Sequence, residues 1–161
     1  MSKKKIVANS SPIILSAKID FLPVLKKMYQ RIFIPEGVHS EITSKKDSQI
    51  EKVLEDQFLQ VKTAQNTEKI NSLSKFLGRG EIECIVLSEE IKADTLIIDD
   101  KKGRYYAESS KIKTIGIVGL IINAYRTHLI DDFSQRLNRL KEVGFWIKKE
   151  FLEEIIRTVQ R

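Results

Sequence analysis

Short apolar runs alternate in this sequence with longer segments in which apolar residues recur three and four positions apart. Runs of β-branched and aliphatic residues predict strands at 5–8, 31–34, 95–98 and 113–115, and weak alternation predicts an edge strand at 59–64. Apolar residues three and four positions apart predict helices between these runs. One of them covers 48–58, and the most apolar cover 81–91 and 116–125. Alternating strands and helices favour an α/β fold in which a mostly parallel sheet lies between helices.

The last part of the chain, 131–161, has no strand pattern and predicts two helices around Gly144, Phe145 and Trp146. A length of 161 residues favours a single domain, so we expect one domain over 1–161 in which 131–161 is a helical C-terminal extension. A composition of 42% hydrophobic and 31% charged residues excludes a mainly disordered chain.

Cysteine, histidine and hydropathy patterns exclude several classes of protein. The one cysteine, Cys84, cannot form an internal disulfide, and with only His39 and His128 beside it the chain lacks the ligand spacing of a zinc site. The sequence shows no signal peptide and no apolar run long enough to cross a bilayer, so we expect a cytoplasmic protein without a membrane partner.

The net charge of +6 comes entirely from the last third of the chain. Residues 1–100 hold 15 basic and 15 acidic side chains, whereas 101–161 hold 13 basic and 7 acidic ones. A basic sector of this kind is typical of proteins that bind the phosphates of nucleic acid, and a merely solvated surface is the alternative.

Oxygen-bearing side chains follow the predicted strands at the points where ligands bind in open α/β sheets. Asn9 follows the first strand, Glu41 lies on the helix after the second, and Asp99 with Asp100 ends the most buried strand, while Glu81 begins the helix before that strand. Carboxylates that converge on one crevice repel each other unless a cation neutralises them. Oxygen ligands alone favour Mg²⁺ or Mn²⁺.

Each of these residues also has a purely structural interpretation. Glu81 can stabilise a helix N-terminus through the helix dipole, and Asp99 and Asp100 can cap the helix that follows them. Glu41 can be an ordinary surface residue, and Asn9 can be a helix cap or a turn residue.

Other chemically notable residues favour structural roles. Glu83 is expected to face solvent, and Cys84 is expected in the core because its neighbours are apolar. Ser10 is a weak candidate nucleophile because neither histidine has a recognisable partner. Phe145 and Trp146 are expected to be packing residues, with stacking on nucleic-acid bases as the alternative if they are exposed.

The chain resembles the PIN domain family, and most closely its small prokaryotic branch of predicted nucleic-acid-binding proteins related to the VapC toxins. The resemblance covers nearly the whole chain and keeps the order of six motifs. They are Asn9-Ser-Ser-Pro-Ile-Ile, Ile-Pro-Glu-Gly-Val-x-x-Glu41, Leu-Gly-x-Gly-Glu81-x-Glu-x-Ile, Leu-Ile-Ile-Asp99-Asp100-Lys-x-x-Arg104, Ile-Gly-Ile-Val-Gly-Leu-Ile and Gly144-Phe-Trp-Ile.

This resemblance implies a three-layer α/β/α Rossmann-like fold, a Mg²⁺ or Mn²⁺ nuclease site and, usually, RNA as substrate. By position, Asn9 stands where the family usually has its first Asp, and Glu41, Glu81 and Asp99 or Asp100 are the other ligands. Replacing a carboxylate by the Asn9 amide removes one negative charge, which should weaken metal binding.

We therefore predict a Mg²⁺- or Mn²⁺-dependent endoribonuclease that is the toxin of a type II toxin–antitoxin pair. Glu41, Glu81, Asp99 and Asp100 are its predicted catalytic residues, while the expected partners are RNA, an antitoxin protein and a second copy of the chain. The basic residues Arg104, Lys111 and Lys113 are the predicted RNA contacts. The alternative is a degenerate PIN module that binds nucleic acid or a protein without cleavage.

Overall fold

A five-stranded sheet, all of it parallel, forms the centre of the computed structural model, which describes residues 3–160. The strands are short, and they lie in the order β3-β2-β1-β4-β5. Their bounds are β1 Ile6–Ala8, β2 Ile32–Ile34, β3 Leu59–Val61, β4 Thr95–Ile97 and β5 Thr114–Ile115. All five predicted strands are confirmed, including the position of β3 at an edge.

Helices connect the strands and form the C-terminal part of the chain. Within residues 3–160 they are α1 Ser10–Lys18, α2 Leu22–Met28, α3 Glu36–Thr43, α4 Ser48–Glu55, α5 Thr67–Leu73, α6 Arg79–Ile91, α7 Lys101–Ser109, α8 Ile117–Arg126, α9 Phe133–Glu142 and α10 Lys149–Val159. This arrangement confirms the predicted α/β fold. In the same range, no helix combines the length and the apolarity needed to span a bilayer.

The strand order places a topological switch between β1 and β4. From β1 the chain continues outwards through β2 and β3, and it then crosses back to add β4 and β5 on the other side. Ala8 pairs with Ile97, and the Asn9 backbone N–H donates to the Ile97 carbonyl at 2.9 Å, so both strands end together. Parallel sheets of this type bind ligands at the carboxyl ends of such strands.

The core is continuous across the sheet because helices cover both of its faces. The side chains of β1 and of Leu96 and Ile97 in β4 are almost completely buried. α6 is buried nearly all around, from Ile82 to Ser88. Cys84 in this helix is fully buried and its thiol contacts the Ala8 carbonyl at 3.5 Å, which confirms its expected place in the core.

Two differences from the sequence prediction have local causes. The helix predicted over 48–58 ends at Glu55, because Gln57 has a left-handed backbone and the Asp56 carboxylate accepts from the Phe58 N–H at 3.0 Å. The helix α5 was not predicted. It buries no residue fully, and its sequence therefore shows little apolar periodicity. The helix begins at a side-chain cap, in which Asn66 accepts from the Lys69 N–H.

The two predicted C-terminal helices are α9 and α10, and the loop 143–148 joins them. α9 is held to the turn after α1 by two arginines. The Arg139 guanidinium donates to the Asp20 carboxylate at 3.0 Å and to two backbone carbonyls at the end of α1. Arg136 donates to the Asp20 carbonyl and lies over the Phe21 ring. These contacts attach the C-terminal helices to the first strand–helix unit.

Candidate functional site

A cleft of about 380 Å³ opens at the carboxyl ends of β1 and β4. The structure brings the five oxygen-bearing residues singled out by the sequence to this one cleft. Its lining residues are Asn9, Ser10, Ser11, Glu41, Gly78, Gly80, Glu81, Asp99 and Asp100. We call it the acid cleft.

Glu41 reaches the acid cleft from α3 and is oriented by a serine. The Ser10 hydroxyl donates to Glu41 Oε2 at 2.6 Å, so this oxygen is engaged. The other oxygen, Oε1, lies 2.8 Å from the point that a Cβ on Gly80 would occupy, and Asn9 Oδ1 lies 3.4 Å from the same point. Glu41 and Asn9 therefore direct oxygens to the space left open by the missing side chain of Gly80.

Glu81 and Asp100 each use one carboxylate oxygen to cap a helix. The Gly78 N–H donates to Glu81 Oε2 at 2.9 Å at the start of α6, and the Gly103 N–H donates to Asp100 Oδ2 at 2.7 Å at the start of α7. The structural interpretations of these acids are thus realised. They do not exclude ligand binding, because the second oxygen of each carboxylate takes no part in its cap.

Asp99 is the more enclosed of the two adjacent aspartates. Its carboxylate accepts from the Ile117 N–H, at 3.0 Å to Oδ1 and 3.3 Å to Oδ2. Burial raises the pKa of Asp99 above its ordinary value, although the Ile117 hydrogen bond and the nearby charge of Arg104 act in the opposite direction. Additional positive charge in the cleft would favour the ionised carboxylate.

Asn9 contributes a neutral oxygen at the end of β1. Asn9 is only 5% exposed, and its side chain makes no capping hydrogen bond to α1. The helix-cap interpretation is therefore not realised through the side chain. A buried amide usually has a hydrogen-bonding or ligand partner, and the space before Gly80 is where Asn9 Oδ1 can find one.

The donor types in the acid cleft fit a hard divalent cation, although the carboxylates are spread along its walls. Among residues 3–160, no three carboxylate, thiol or imidazole side chains lie close enough together to hold one ion. Mg²⁺ characteristically uses one or two carboxylates and completes its shell with water and phosphate oxygens. Glu41 and Asn9 direct one carboxylate oxygen and one amide oxygen to the space in front of Gly80, and these two donors meet this smaller requirement.

Glu83 was expected to face solvent, and this prediction is wrong. It is only 7% exposed because α3 packs against this side of α6. Glu83 Oε1 accepts from the Gly37 N–H at 3.1 Å in the first turn of α3, and Oε2 pairs with Arg79 at 2.8 Å. It thereby fixes the helix that carries Glu41. The apolar residues on several sides of α6 indicate a buried helix, but this pattern does not show that Glu83 contacts α3.

The structure brings one of the three predicted RNA contacts next to a residue of the acid cleft, although none of the three lines the cleft itself. Arg104 lies beside Asp99, whereas Lys111 and Lys113 precede β5 and so lie towards the amino-terminal edge of the sheet. Lys113 and Gly116 lie at opposite ends of β5, three residues apart. At roughly 3.3 Å per residue, Lys113 is therefore about 10 Å from the edge of the sheet where the acid cleft opens.

A second groove of about 530 Å³ adjoins the acid cleft and shares Asp99 with it. The aromatic residues Phe145, Trp146 and Phe151 line this groove, and we call it the aromatic groove. The expectation that Trp146 is a packing residue is wrong, since it is 74% exposed, while Phe145 is half-buried. The loop between α9 and α10 holds Trp146 outside the core.

Comparison with known proteins identifies the family. A family model described as a PIN domain matches residues 5–161. None of the curated proteins matches the chain. The matched range contains every residue of the acid cleft.

Proposed function

The chain belongs to the PIN domain family, and we propose that its acid cleft is the site of a Mg²⁺- or Mn²⁺-dependent endoribonuclease. The observation that supports this most is the meeting of Asn9, Glu41, Glu81, Asp99 and Asp100 in one cleft at the topological switch of the sheet. PIN domains have a nuclease-type fold and generally use divalent metal ions, whereas the particular metal and the RNA substrate belong to the proposal.

One or two cations would bind along the acid cleft, each held by no more than two of the carboxylates of Glu41, Glu81, Asp99 and Asp100, with Asn9 as a neutral ligand. When bound, such a cation supplies an activated water and stabilises charge on the scissile phosphate. Four carboxylates without a cation would repel a phosphate, so RNA binding and metal binding should support each other.

The surrounding residues orient these ligands. Ser10 donates to Glu41 Oε2 and leaves Oε1 directed to the space before Gly80. The Ile117 N–H holds Asp99 from the start of α8. Such preformed contacts fix the carboxylates before substrate binds, which lowers the cost of organising the site.

We also propose a path for the RNA backbone along the β5 side of the acid cleft. Arg104 would meet the first phosphate beyond the cleft, and Lys113 and then Lys111 would meet later ones. Binding through these cations should weaken with salt, and each substitution to Gln should reduce the log–log salt slope by roughly 0.7 units on single-stranded RNA. An unchanged slope in all three variants would exclude this path.

RNA cleavage by purified protein tests the proposed activity. Wild type should cleave RNA only with Mg²⁺ or Mn²⁺, and Glu41→Gln should lose this activity while its thermal unfolding remains close to wild type. Glu55→Gln, an exposed carboxylate change on α4, is the matched control. Cleavage that persists in chelator, or that is equal in all three proteins, would contradict the assignment.

A second candidate function is a binding module that holds nucleic acid or a protein without cleaving it. The observation that favours it is Asn9, which lacks the negative charge of the Asp expected at this position in the family. In that case RNA should bind with equal affinity in metal and in chelator, and no cleavage product should form.

A biological role as the toxin of a type II toxin–antitoxin pair is supported by the resemblance of the motifs to the VapC-related branch. Its partners would be an antitoxin and a second copy of the chain. Expression in a bacterial host should arrest growth, and Glu41→Gln should abolish the arrest. Normal growth during expression of active wild type would argue against this role.

A further inference from the structure

The aromatic groove exposes large apolar side chains next to the acid cleft. Trp146 and Phe151 are 74% and 54% exposed, although aromatic residues of this size are usually more buried. Phe145 completes the wall, while Ile115 and Val118 form part of the floor. A volume of about 530 Å³ is within the usual range for small-ligand sites, roughly 300–1,000 Å³.

Charge at the rim of the aromatic groove favours an anionic occupant. Arg104 and Lys148 both line it, and Asp99 is the one acidic residue among its lining residues in the described part of the chain. Asp99 already accepts the Ile117 N–H and lies close to Arg104. The groove therefore combines apolar ring surfaces with cations, which is the combination that binds nucleobases and their phosphates.

The floor of the aromatic groove includes the start of α8. Gly116 precedes this ten-residue helix, and Val118 and Gly119 in its first turn line the groove. The first N–H groups of a helix have no partner within the helix and favour negative charge. The Asp99 carboxylate already accepts from the first of them, that of Ile117, so the preference of the groove for a phosphate rests on Arg104 and Lys148.

We propose that the aromatic groove is a subsite for one unpaired nucleobase of the RNA strand that crosses the acid cleft. The base stacks on Trp146, and the neighbouring phosphates lie near Arg104 and Lys148. This inference rests on the proposed function and specifies its substrate as single-stranded RNA. A base within a duplex is already stacked on both faces and is not available to Trp146.

Trp146 is the single tryptophan of the chain, so its intrinsic fluorescence reports directly on the groove. The test is a titration of the whole protein with a short single-stranded RNA and with a duplex of the same sequence, once in chelator to prevent cleavage and once in Mn²⁺ with the fluorescence read before cleavage proceeds. The single strand should quench Trp146 in a saturable manner. The duplex should cause much less quenching at equal nucleotide concentration.

Two substitutions and a control make the test specific. Trp146→Ala should weaken single-strand binding by about 5- to 150-fold, measured by the anisotropy of labelled RNA, and Trp146→Phe should retain most of the affinity. Val61→Ala, which truncates an exposed apolar residue in β3 at the far edge of the sheet, should bind as wild type. Because Trp146 is largely exposed, its removal should leave thermal unfolding unchanged.

The outcomes separate this inference from the proposed nuclease activity. Quenching and loss of affinity in Trp146→Ala without metal-dependent cleavage would support the subsite and contradict the nuclease. Cleavage by wild type with no quenching, or with equal affinity in Trp146→Ala, would overturn the subsite alone. A dimer of wild type that dissociates in Trp146→Ala would assign the groove to a second copy of the chain and would also overturn it.

Discussion

Adding one methyl group at Gly80 should abolish the proposed RNA cleavage without lowering the stability of the fold. The Cβ of Gly80→Ala would lie 2.8 Å from Glu41 Oε1, at the end of a flexible side chain that can move away. Alanine also favours the helix by up to about 1 kcal/mol relative to glycine. Gly80→Ala should therefore unfold at the same or a higher temperature than wild type, yet lose metal-dependent RNA cleavage.

Parallel thermal melts and cleavage assays check this prediction. Loss of both stability and activity would mean that the contact with Asn9 and Val38, rather than with Glu41, dominates at this position. Full activity in Gly80→Ala would show that the position of Glu41 Oε1 is not important for the reaction.

Glu83 joins α6 to the start of α3. Glu83→Ala leaves the Gly37 N–H without its partner in a buried position and removes the ion pair with Arg79. The free energy of unfolding should fall by about 1–3 kcal/mol, measured by urea denaturation. Glu83→Gln should lose less, because its amide oxygen can still accept from Gly37.

The matched control for Glu83 is Glu55→Ala, which removes an exposed carboxylate and should change stability little. Metal affinity should fall in Glu83→Ala, because α3 also carries Glu41. A variant as stable as wild type would contradict the assigned contact between the two helices.

Asp20 gives the attachment of α9 to α1 a dependence on pH. Hydrogen bonds from Gln49 and then from Arg139 hold the pKa of Asp20 below its ordinary value. A lowered folded-state pKa contributes stability above the unfolded-state value of about pH 4, and this contribution is lost as the pH falls through the folded-state pKa. Asp20→Asn should therefore be less stable than wild type at pH 7, and the difference should shrink at pH 3.

Urea unfolding at the two pH values measures this difference. Asn is suited to the comparison because it tolerates the positive φ of 55° at this position. A difference between the two proteins that is equal at both pH values would show that ionisation of Asp20 does not contribute to the attachment.

The sheet and the residues of the acid cleft could be predicted from the sequence because both follow from local pattern. The apolar runs identify β1 and β4, and in a parallel sheet their carboxyl ends meet, which brings Asn9 to the same edge as Asp99. What the sequence could not predict depends on contacts between distant elements. Glu83 is buried by α3, and Trp146 is exposed by the path of the loop between α9 and α10.

Calorimetric titration with Mn²⁺ measures whether the acid cleft holds a divalent cation. Wild type should bind Mn²⁺ with measurable heat, Glu41→Gln should bind more weakly or not at all, and Glu55→Gln should match wild type. Asn9→Asp adds the charge that Asn9 lacks and should bind more tightly. The absence of binding by wild type, or equal binding by wild type and Glu41→Gln, would show that the acid cleft does not hold a cation through Glu41.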